Sequence, residues 1–266
     1  MDSVVLSASF TNLSSHKARH LHDSHQLLYV TGGQAQIIVS ERAYTATPGT
    51  LILISRFETH CVQNASPDYC RYALQISPRV SSYGSIVGYP VLSVLTNRPA
   101  HFCHALDMSD CPEFEKLLSE IVREKAANAP MCEKILDMKF LQLLLYLSRT
   151  HPELVTQSDP ALQLVQQVQG FLETEYASPC TLGALAQHFH LSASHLSHQF
   201  KRVAGVSVMG YLQACRLAAA KQQLIQTDLP ISQIVADCGY SDNSNFSRYF
   251  QSVTGLTPTQ FRKQHR

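Results

Sequence analysis

Several features that would place this chain in other classes of protein are missing from its 266 residues. No run of 18 uncharged apolar residues occurs, so we expect no membrane-spanning helix. The first ten residues, MDSVVLSASF, lack the basic start and long apolar core of a secretory signal. The eight cysteines show no CxxC spacing, which favours reduced core thiols and a cytoplasmic protein.

The sequence motifs of common enzymes are absent as well. No phosphate-binding loop, dinucleotide fingerprint or Ser, His and Asp order is found. Four histidines crowd one C-terminal segment (His188, His190, His195 and His198), and we interpret them as surface residues of helices. We therefore predict that the chain is not an enzyme, has no catalytic residue, needs no cofactor and holds no metal.

Charge is distributed unevenly along the chain. From Ala177 onward, eight lysines and arginines stand against three acidic residues, a net charge of +5. The whole chain carries +1, so residues 1–176 carry about −4. A basic C-terminal part suggests that this part alone meets an anionic partner, although a solvated helical surface would also account for so modest an excess.

The C-terminal part contains an internal repeat between Thr181 and Arg262. Each copy has apolar residues at i, i+3, i+4 and i+7, then a short break and a second helical pattern. The copies are offset by 49 residues before the break and by 50 after it. Two copies are too few for a solenoid, so the repeat predicts two helix-turn-helix units.

One predicted helix, over residues 207–226, separates the two units. At ~1.5 Å per residue it is ~30 Å long, close to the ~34 Å turn of B-DNA. Because a major groove admits one α-helix, a single chain could place two recognition helices in successive grooves.

The second helix of each unit is the expected recognition helix. We expect Leu196 and Phe200 in one, and Phe246 and Phe250 in the other, to face the core, with Asp242 as an N-cap. The residues predicted to contact DNA are Ser194, Ser197, His198, Lys201, Arg202, Asn243, Ser244, Ser247, Arg248 and Arg262.

These residues have different expected partners on double-stranded DNA. Arg248 suits guanine and Asn243 suits adenine, each pair being worth ~1–3 kcal/mol of discrimination. The cations Lys201, Arg202 and Arg262 are expected to meet phosphates.

The repeat closely resembles the signature of AraC/XylS-type transcription regulators. The resemblance is carried by residues 231–238, 239–242, 244–250 and 254–258, by Phe261 and Arg262, and by residues 192–200 of the first copy. It covers roughly residues 161–266 and implies a regulator, such as an activator, that binds promoter DNA and acts with RNA polymerase. The family's base-contacting positions fall on Ser194, His198, Ser244 and Arg248, and His198 stands where an arginine is expected.

The first hundred residues show short strand patterns separated by turn signals. Alternating or continuous apolar runs occupy residues 26–30, 34–40, 43–47, 51–55 and 70–76. This pattern predicts an antiparallel sandwich or barrel. With the helices that follow, the region resembles the cupin-like effector and dimerisation domain common in the same family.

Histidines gather in the strand-rich region. His20 and His22 alternate on an expected strand, so both would point to one face. An HxH pair and a later histidine hold a metal in some cupins, but Gln26 stands where a carboxylate ligand is expected. We favour histidines that line a small-molecule pocket or the barrel mouth. The candidate effector-binding residues are His20, His22, His25, Tyr29 and His60.

Two helices are predicted after the strands, over residues 113–125 and 132–148. The second is apolar over more than half of its circumference, which favours a homodimer interface. A neighbouring helix or the second domain would be an alternative cover for it.

The predicted architecture is an α+β multidomain chain with an N-terminal cupin-like antiparallel β-barrel and dimerisation helices. An all-α domain with two helix-turn-helix units follows. The predicted boundaries are 1–105 for the β domain, 106–150 for the helical segment, 151–160 for a linker and 161–266 for the DNA-binding domain.

Our leading hypothesis is a dimeric, sequence-specific transcription regulator whose barrel binds a small-molecule effector. One alternative is a metal-binding cupin enzyme fused to a DNA tether, with metal held by His20, His22 and His60. Another is a regulator without an effector, controlled by its abundance or by cysteine oxidation, for example of Cys61 with Cys70.

Overall fold

The computed structural model describes residues 3–12, 19–39, 42–77, 104–154 and 160–265. The chain divides into two compact units, Met1–Ser158 and Asp159–Arg266. Residues 155–159 of the predicted linker lie outside the described residues.

The first unit begins with two antiparallel sheets. Its described strands are β1 (Val5–Asn12), β2 (His25–Gly32), β3 (Ala35–Val39), β4 (Arg42–Ala46), β5 (Thr50–Ile54), β6 (His60–Gln63), β7 (Cys70–Ile76) and β8 (Ala105–Asp107). One sheet has the order β1-β7-β2-β5-β8 and the other has the order β4-β3-β6. The predicted antiparallel β architecture is confirmed, although β1, β6 and β8 were not predicted.

The central strands of the larger sheet are buried on both faces. Leu28 pairs with Ile52 on β5 and with Ala73 on β7, and it belongs to the core between the sheets. Tyr29, on the opposite face of β2, belongs to a second core that the helices complete. Burial on both faces explains why β5 is a continuous apolar run rather than an alternating one.

Two helices, α1 (Pro112–Ala127) and α2 (Cys132–Thr150), supply the rest of this second core. Leu154, in a 3-10 turn after α2, is also buried in it. The start of the predicted linker is therefore part of the first unit, and β8 extends past the predicted boundary at residue 105.

The second unit is helical throughout its described residues. Its helices are α3 (Pro160–Thr174), α4 (Leu182–His188), α5 (Ala193–Ala204), α6 (Val208–Gln226), α7 (Ile231–Asp237), α8 (Asn243–Thr254) and α9 (Pro258–His265). The pairs α4–α5 and α7–α8 are the two predicted helix-turn-helix units. Among the described residues no single helix is long and apolar enough to span a membrane, and only α5 with α6, across a 61° bend, passes that test as a pair.

Both recognition helices begin at a side-chain cap. Ser192 accepts a hydrogen bond from the amide of His195 at 3.2 Å, and Asp242 accepts one from the amide of Asn245 at 2.6 Å. The expected N-cap at Asp242 is thus confirmed. Gly205 and Gly255 end the same helices in the left-handed conformation, with φ of 74° and 76°.

Helix α6 connects the two helix-turn-helix units and packs against both. Near its start Tyr211 contacts Phe200, with ring centroids 5.6 Å apart. Nearer its end Leu217 and Leu224 belong to the core that contains Phe246. Its 19 residues correspond to ~28 Å of helix, so α6 sets the separation of the units.

Candidate nucleic-acid interface and effector cavity

The first recognition helix, α5, presents a polar face. Leu196 and Phe200 are fully buried, as expected from their spacing. The predicted contact residues lie on the other side, where Ser194, His198 and Lys201 are exposed and Ser197 and Arg202 are half-buried. These five line one concavity together with Leu182 and Ala193.

The second recognition helix, α8, repeats this arrangement. Phe246 and Phe250 are fully buried. Asn243, Ser244 and Arg248 are exposed, and Ser247 is half-buried. Each expected residue is therefore on the face of α8 that is turned away from the core.

The arginines of these helices are held by neighbouring amide side chains. Arg202 donates from Nε and Nη2 to Oε1 of Gln199 at 3.1 and 2.8 Å. Arg248 donates from Nη2 to Oδ1 of Asn245. Neither α5 nor α8 contains an acidic residue.

Two other arginines stabilise the fold through hydrogen bonds to backbone carbonyls. Arg216 is buried in α6 and donates to the carbonyls of Tyr176 at 2.7 Å and Ser178 at 3.0 Å. Arg262, an expected phosphate contact, donates from Nη2 to the carbonyl of Leu229 at 2.6 Å. The sequence pattern gave no sign of either bond, because both join residues far apart in the chain.

A cavity of ≈ 220 Å³ lies in the first unit, and its walls are both polar and apolar. Its polar lining includes Thr11, His20, His22, Gln26, His60 and Arg71. Three of the five candidate effector-binding residues are therefore brought together here.

The three histidines are held by the backbone as well as by packing. His20 and His60 exchange backbone hydrogen bonds of 3.1 and 2.9 Å in an isolated bridge. The ring centroids are 4.3 Å apart for His20 and His60, 4.9 Å for His20 and His22, and 5.2 Å for His22 and His60. His20 and His22 share a face as predicted, although the structure places neither in a full strand.

His60 has a defined tautomer in this arrangement. Its Nδ1 lies 3.0 Å from the carbonyl of Glu58, which can only accept a hydrogen bond, so Nδ1 carries the proton. Burial, with the neighbouring His20 and His22, lowers the pKa of His60 to about 4. The ring is therefore neutral at pH 7, and Nε2 carries a lone pair.

Four polar atoms of the cavity residues are buried without a hydrogen-bond partner among the described residues. They are Nε2 of His60, Oε1 of Gln26, Nε of Arg71 and Oγ1 of Thr11. Buried polar groups are nearly always satisfied by protein, water or ligand. The cavity is thus suited to a small polar ligand.

Two expected cavity residues face elsewhere. Tyr29 points into the core under α1, where its ring centroid is 5.7 Å from that of Phe114. Burial there raises the pKa of Tyr29 to about 12. His25 occupies the same face of β2, because side chains alternate along a strand. Neither lines the cavity that holds the other three candidates, and their assignment to effector binding stays a prediction.

Sequence reasoning missed the contributions of β1 and β7 to the cavity. Thr11 and Arg71 are paired across these strands, and Arg71 is a buried cation. The charged side chain of Arg71 within the alternating run 70–76 could have indicated a polar site on β7. In the structure, Arg71 lies on the face of β7 that lines the cavity, opposite the face that packs on the helices.

Two protein families match this sequence. An AraC-like ligand binding domain covers residues 2–144, and a helix-turn-helix domain covers residues 185–264. The chain is 26% identical over 256 residues to the HTH-type transcriptional activator RhaR of Shigella dysenteriae serotype 1 (strain Sd197), which covers 92% of this chain and 86% of that protein. RhaR of Escherichia coli (strain K12) is 25% identical with the same coverage.

Solved structures show the same fold along nearly the whole chain. ToxT from Vibrio cholerae strain SCE256, crystallised with a bound unsaturated fatty acid, aligns with a TM-score of 0.65 over 98% of this chain and 96% of that one. ToxT from Vibrio cholerae O395 with a bound naphthalenyl butenoic acid aligns with a TM-score of 0.63. Both are 13% identical, so the likeness concerns the fold alone.

Proposed function

The chain belongs to the AraC family of transcription regulators, and we propose that its two helix-turn-helix units contact successive major grooves of one promoter site. The observation that carries this proposal is the pair of outward faces on α5 and α8. Both are polar, free of acidic residues and joined by α6, which is ~28 Å long.

Base recognition is expected to differ between the two units. Arg248 is exposed on α8 and can bind guanine with two parallel hydrogen bonds once it leaves Asn245. The matching helix α5 presents His198 and Ser194, which offer fewer donors. We therefore assign the larger share of sequence preference to α8 and mainly phosphate contacts to Lys201 and Arg202.

The first unit is proposed to bind the effector in the ≈ 220 Å³ cavity. Arg71 and Gln26 supply an unpartnered donor and acceptor among the described residues, so a small hydroxylated or carboxylated compound fits best. Such a ligand changes DNA binding only if it binds two conformations of the protein unequally.

We further propose that the protein is a cytoplasmic homodimer that activates transcription together with RNA polymerase. Helix α2 supports dimerisation, because Met138 and Leu145 are 74% and 44% exposed on one stripe of it, and Met131, the residue before its first turn, is 69% exposed. Activation is supported by the RhaR relatives, which are themselves activators.

The test is recovery of genomic DNA fragments by the purified full-length protein, with Arg248→Ala and Lys201→Ala beside it. The wild type should select a motif whose two parts are about ten base pairs apart, one helical turn. Arg248→Ala should lose preference in one part only, at a cost of ~1–3 kcal/mol.

Lys201→Ala is the matched control, since it removes the same charge from the other recognition helix. It should weaken binding to all sequences about equally and reduce the salt dependence, as expected of a phosphate contact. Fragments recovered without any shared motif at physiological salt, with cell extract present to supply an effector, would contradict the proposal.

A further inference from the structure

We propose that His20, His22 and His60 bind one divalent transition-metal ion of the zinc class, with a further coordination position open to the cavity. One ligand nitrogen of each histidine lies within 4.8 Å of the others. This site goes beyond DNA recognition and does not depend on it.

The backbone places the three rings before any ion arrives. His20 and His60 are fixed opposite each other by their paired backbone hydrogen bonds. His22 follows two residues later, and its carbonyl accepts a hydrogen bond from the amide of Phe57 at 2.9 Å. His20 and His22 are therefore both hydrogen-bonded to residues 57–60, which lead into β6.

His60 has the orientation of a metal ligand. Histidines that bind metal almost always donate their other ring N–H to a carbonyl or carboxylate. Here Nδ1 donates to the carbonyl of Glu58, so the lone pair of Nε2 points away from that bond. Nε2 is fully buried and has no hydrogen-bond partner in the part of the chain that the structure describes. A cation between the rings would satisfy it.

A second layer of buried polar groups supports the Glu58 segment. One carboxylate oxygen of Glu58 accepts from the amide of Ser55 at 2.9 Å, and the other lies 3.1 Å from Nε2 of His104. Nδ1 of His104 in turn lies 2.7 Å from the hydroxyl of Tyr44. This network fixes the carbonyl that orients His60.

The donor set decides the class of metal. Three imidazoles suit zinc, copper, nickel or cobalt, whereas calcium and magnesium require oxygen ligands. With Zn–N bonds of about 2.0–2.1 Å, the nitrogens of a tetrahedral site lie about 3.3 Å apart. Metal binding would therefore draw the half-buried rings of His20 and His22 inward until their nitrogens reach this separation.

Three protein ligands leave one tetrahedral position for a water or an oxygen atom of the effector. The cavity beside the site also holds Arg71 and Gln26. A ligand bound there could coordinate the metal through one oxygen and bind Arg71 through another.

The experiment titrates chelator-stripped full-length protein with Zn²⁺ and, separately, with Co²⁺. Bound metal is counted by elemental analysis, and Co²⁺ coordination is followed by its visible absorption. We expect one ion per chain and a Co²⁺ spectrum typical of nitrogen ligation in a four-coordinate site.

The variants His20→Ala and His22→Ala, which change half-buried residues, should each weaken binding by at least about 100-fold. Circular dichroism establishes that they are folded. His195→Ala is the control, because it removes an exposed histidine of the second unit. It should bind metal like the wild type.

Three results would overturn the proposal: no saturable binding, equal affinity in His22→Ala, or loss of binding in His195→Ala. If the rings hold a water molecule instead of a metal ion, no saturable metal binding will be seen. DNA selection by the same preparations is measured separately, so failure of the metal site leaves the assignment of the recognition helices intact.

Discussion

The turn of each helix-turn-helix unit depends on one residue in the left-handed backbone conformation. Gly239 has φ of 79° in the second unit, and His190 has φ of 56° at the matching position of the first. The two are 49 residues apart, the offset of the repeat. The first turn therefore contains a side chain where the backbone favours glycine.

We predict that Gly239→Ala destabilises the protein more than Gly255→Ala does. Both glycines have a positive φ, which costs alanine ~1–2 kcal/mol. A Cβ at Gly239 would also lie 2.6 Å from the carbonyl oxygen of Ala177, whereas at Gly255 it meets nothing within 4 Å. This clash should add ~1–3 kcal/mol.

Urea denaturation of the full-length variants, followed by helical circular dichroism, measures this difference. Gly255→Ala serves as the control for backbone strain alone. Equal losses of stability in the two variants would show that the contact with Ala177 does not constrain the turn.

Residue-level chemistry was the least predictable part of the molecule from sequence. Arg262 was expected to contact phosphate, and no position was predicted for Arg71 or Arg216, yet Arg71 and Arg216 are buried and Arg262 donates to a backbone carbonyl. Arg216 bonds two carbonyls about forty residues away, and such partners leave no periodic signal. The faces of His25 and Tyr29 depend on strand register, which the apolar run of β2 does not specify.

At the scale of elements, helix α2 combines a buried face with an exposed apolar stripe. Its inward face contains Leu136, Phe140 and Leu143, all within the core of the first unit. Met138 and Leu145 lie on the opposite face and remain exposed. The unusually broad apolar pattern in the sequence is thus explained only in part by burial within one chain.

We predict that the double variant Met138→Glu and Leu145→Glu dissociates the proposed homodimer. Two carboxylates per chain would have to be desolvated in an apolar interface, and each desolvation is unfavourable. Sedimentation equilibrium or light scattering over a range of protein concentrations measures the change.

Ala126→Glu together with Ala127→Glu, exposed at the end of α1, is the charge-matched control and should leave the association unchanged. A dimer that survives substitution of the α2 stripe, with the same dissociation constant, would place the interface elsewhere.

Across the whole molecule, both helix-turn-helix units were predicted, whereas the eight-residue strand β1 and the short strands β6 and β8 were not. The helical repeat from Thr181 onward gave both helix-turn-helix units, because the apolar spacing recurs in both copies and side-chain caps begin α4, α5 and α8. The strands β6 and β8 have four and three residues, too few for a period to be recognised. Their pairing with β3 and β5 is set by tertiary contacts.

The cavity also illustrates this limit. The histidine cluster was visible in the sequence as a group, but the separation of its rings depends on the bridge between His20 and His60. The contribution of Arg71 depends on the pairing of β1, β7 and β2, which no local pattern contains.

Helix α6 is proposed to hold the two recognition helices at a fixed separation of about one DNA turn. The most direct test is the affinity for a selected site in which about five or about ten base pairs, half or one helical turn, are inserted between its two parts.

Because α6 packs against both helix-turn-helix units, the two recognition helices cannot move apart to match either insertion. We predict that each insertion reduces the affinity to that of a DNA site in which one of the two parts is mutated. An affinity unchanged by either insertion would mean that the two helix-turn-helix units bind independently and that α6 does not fix their separation.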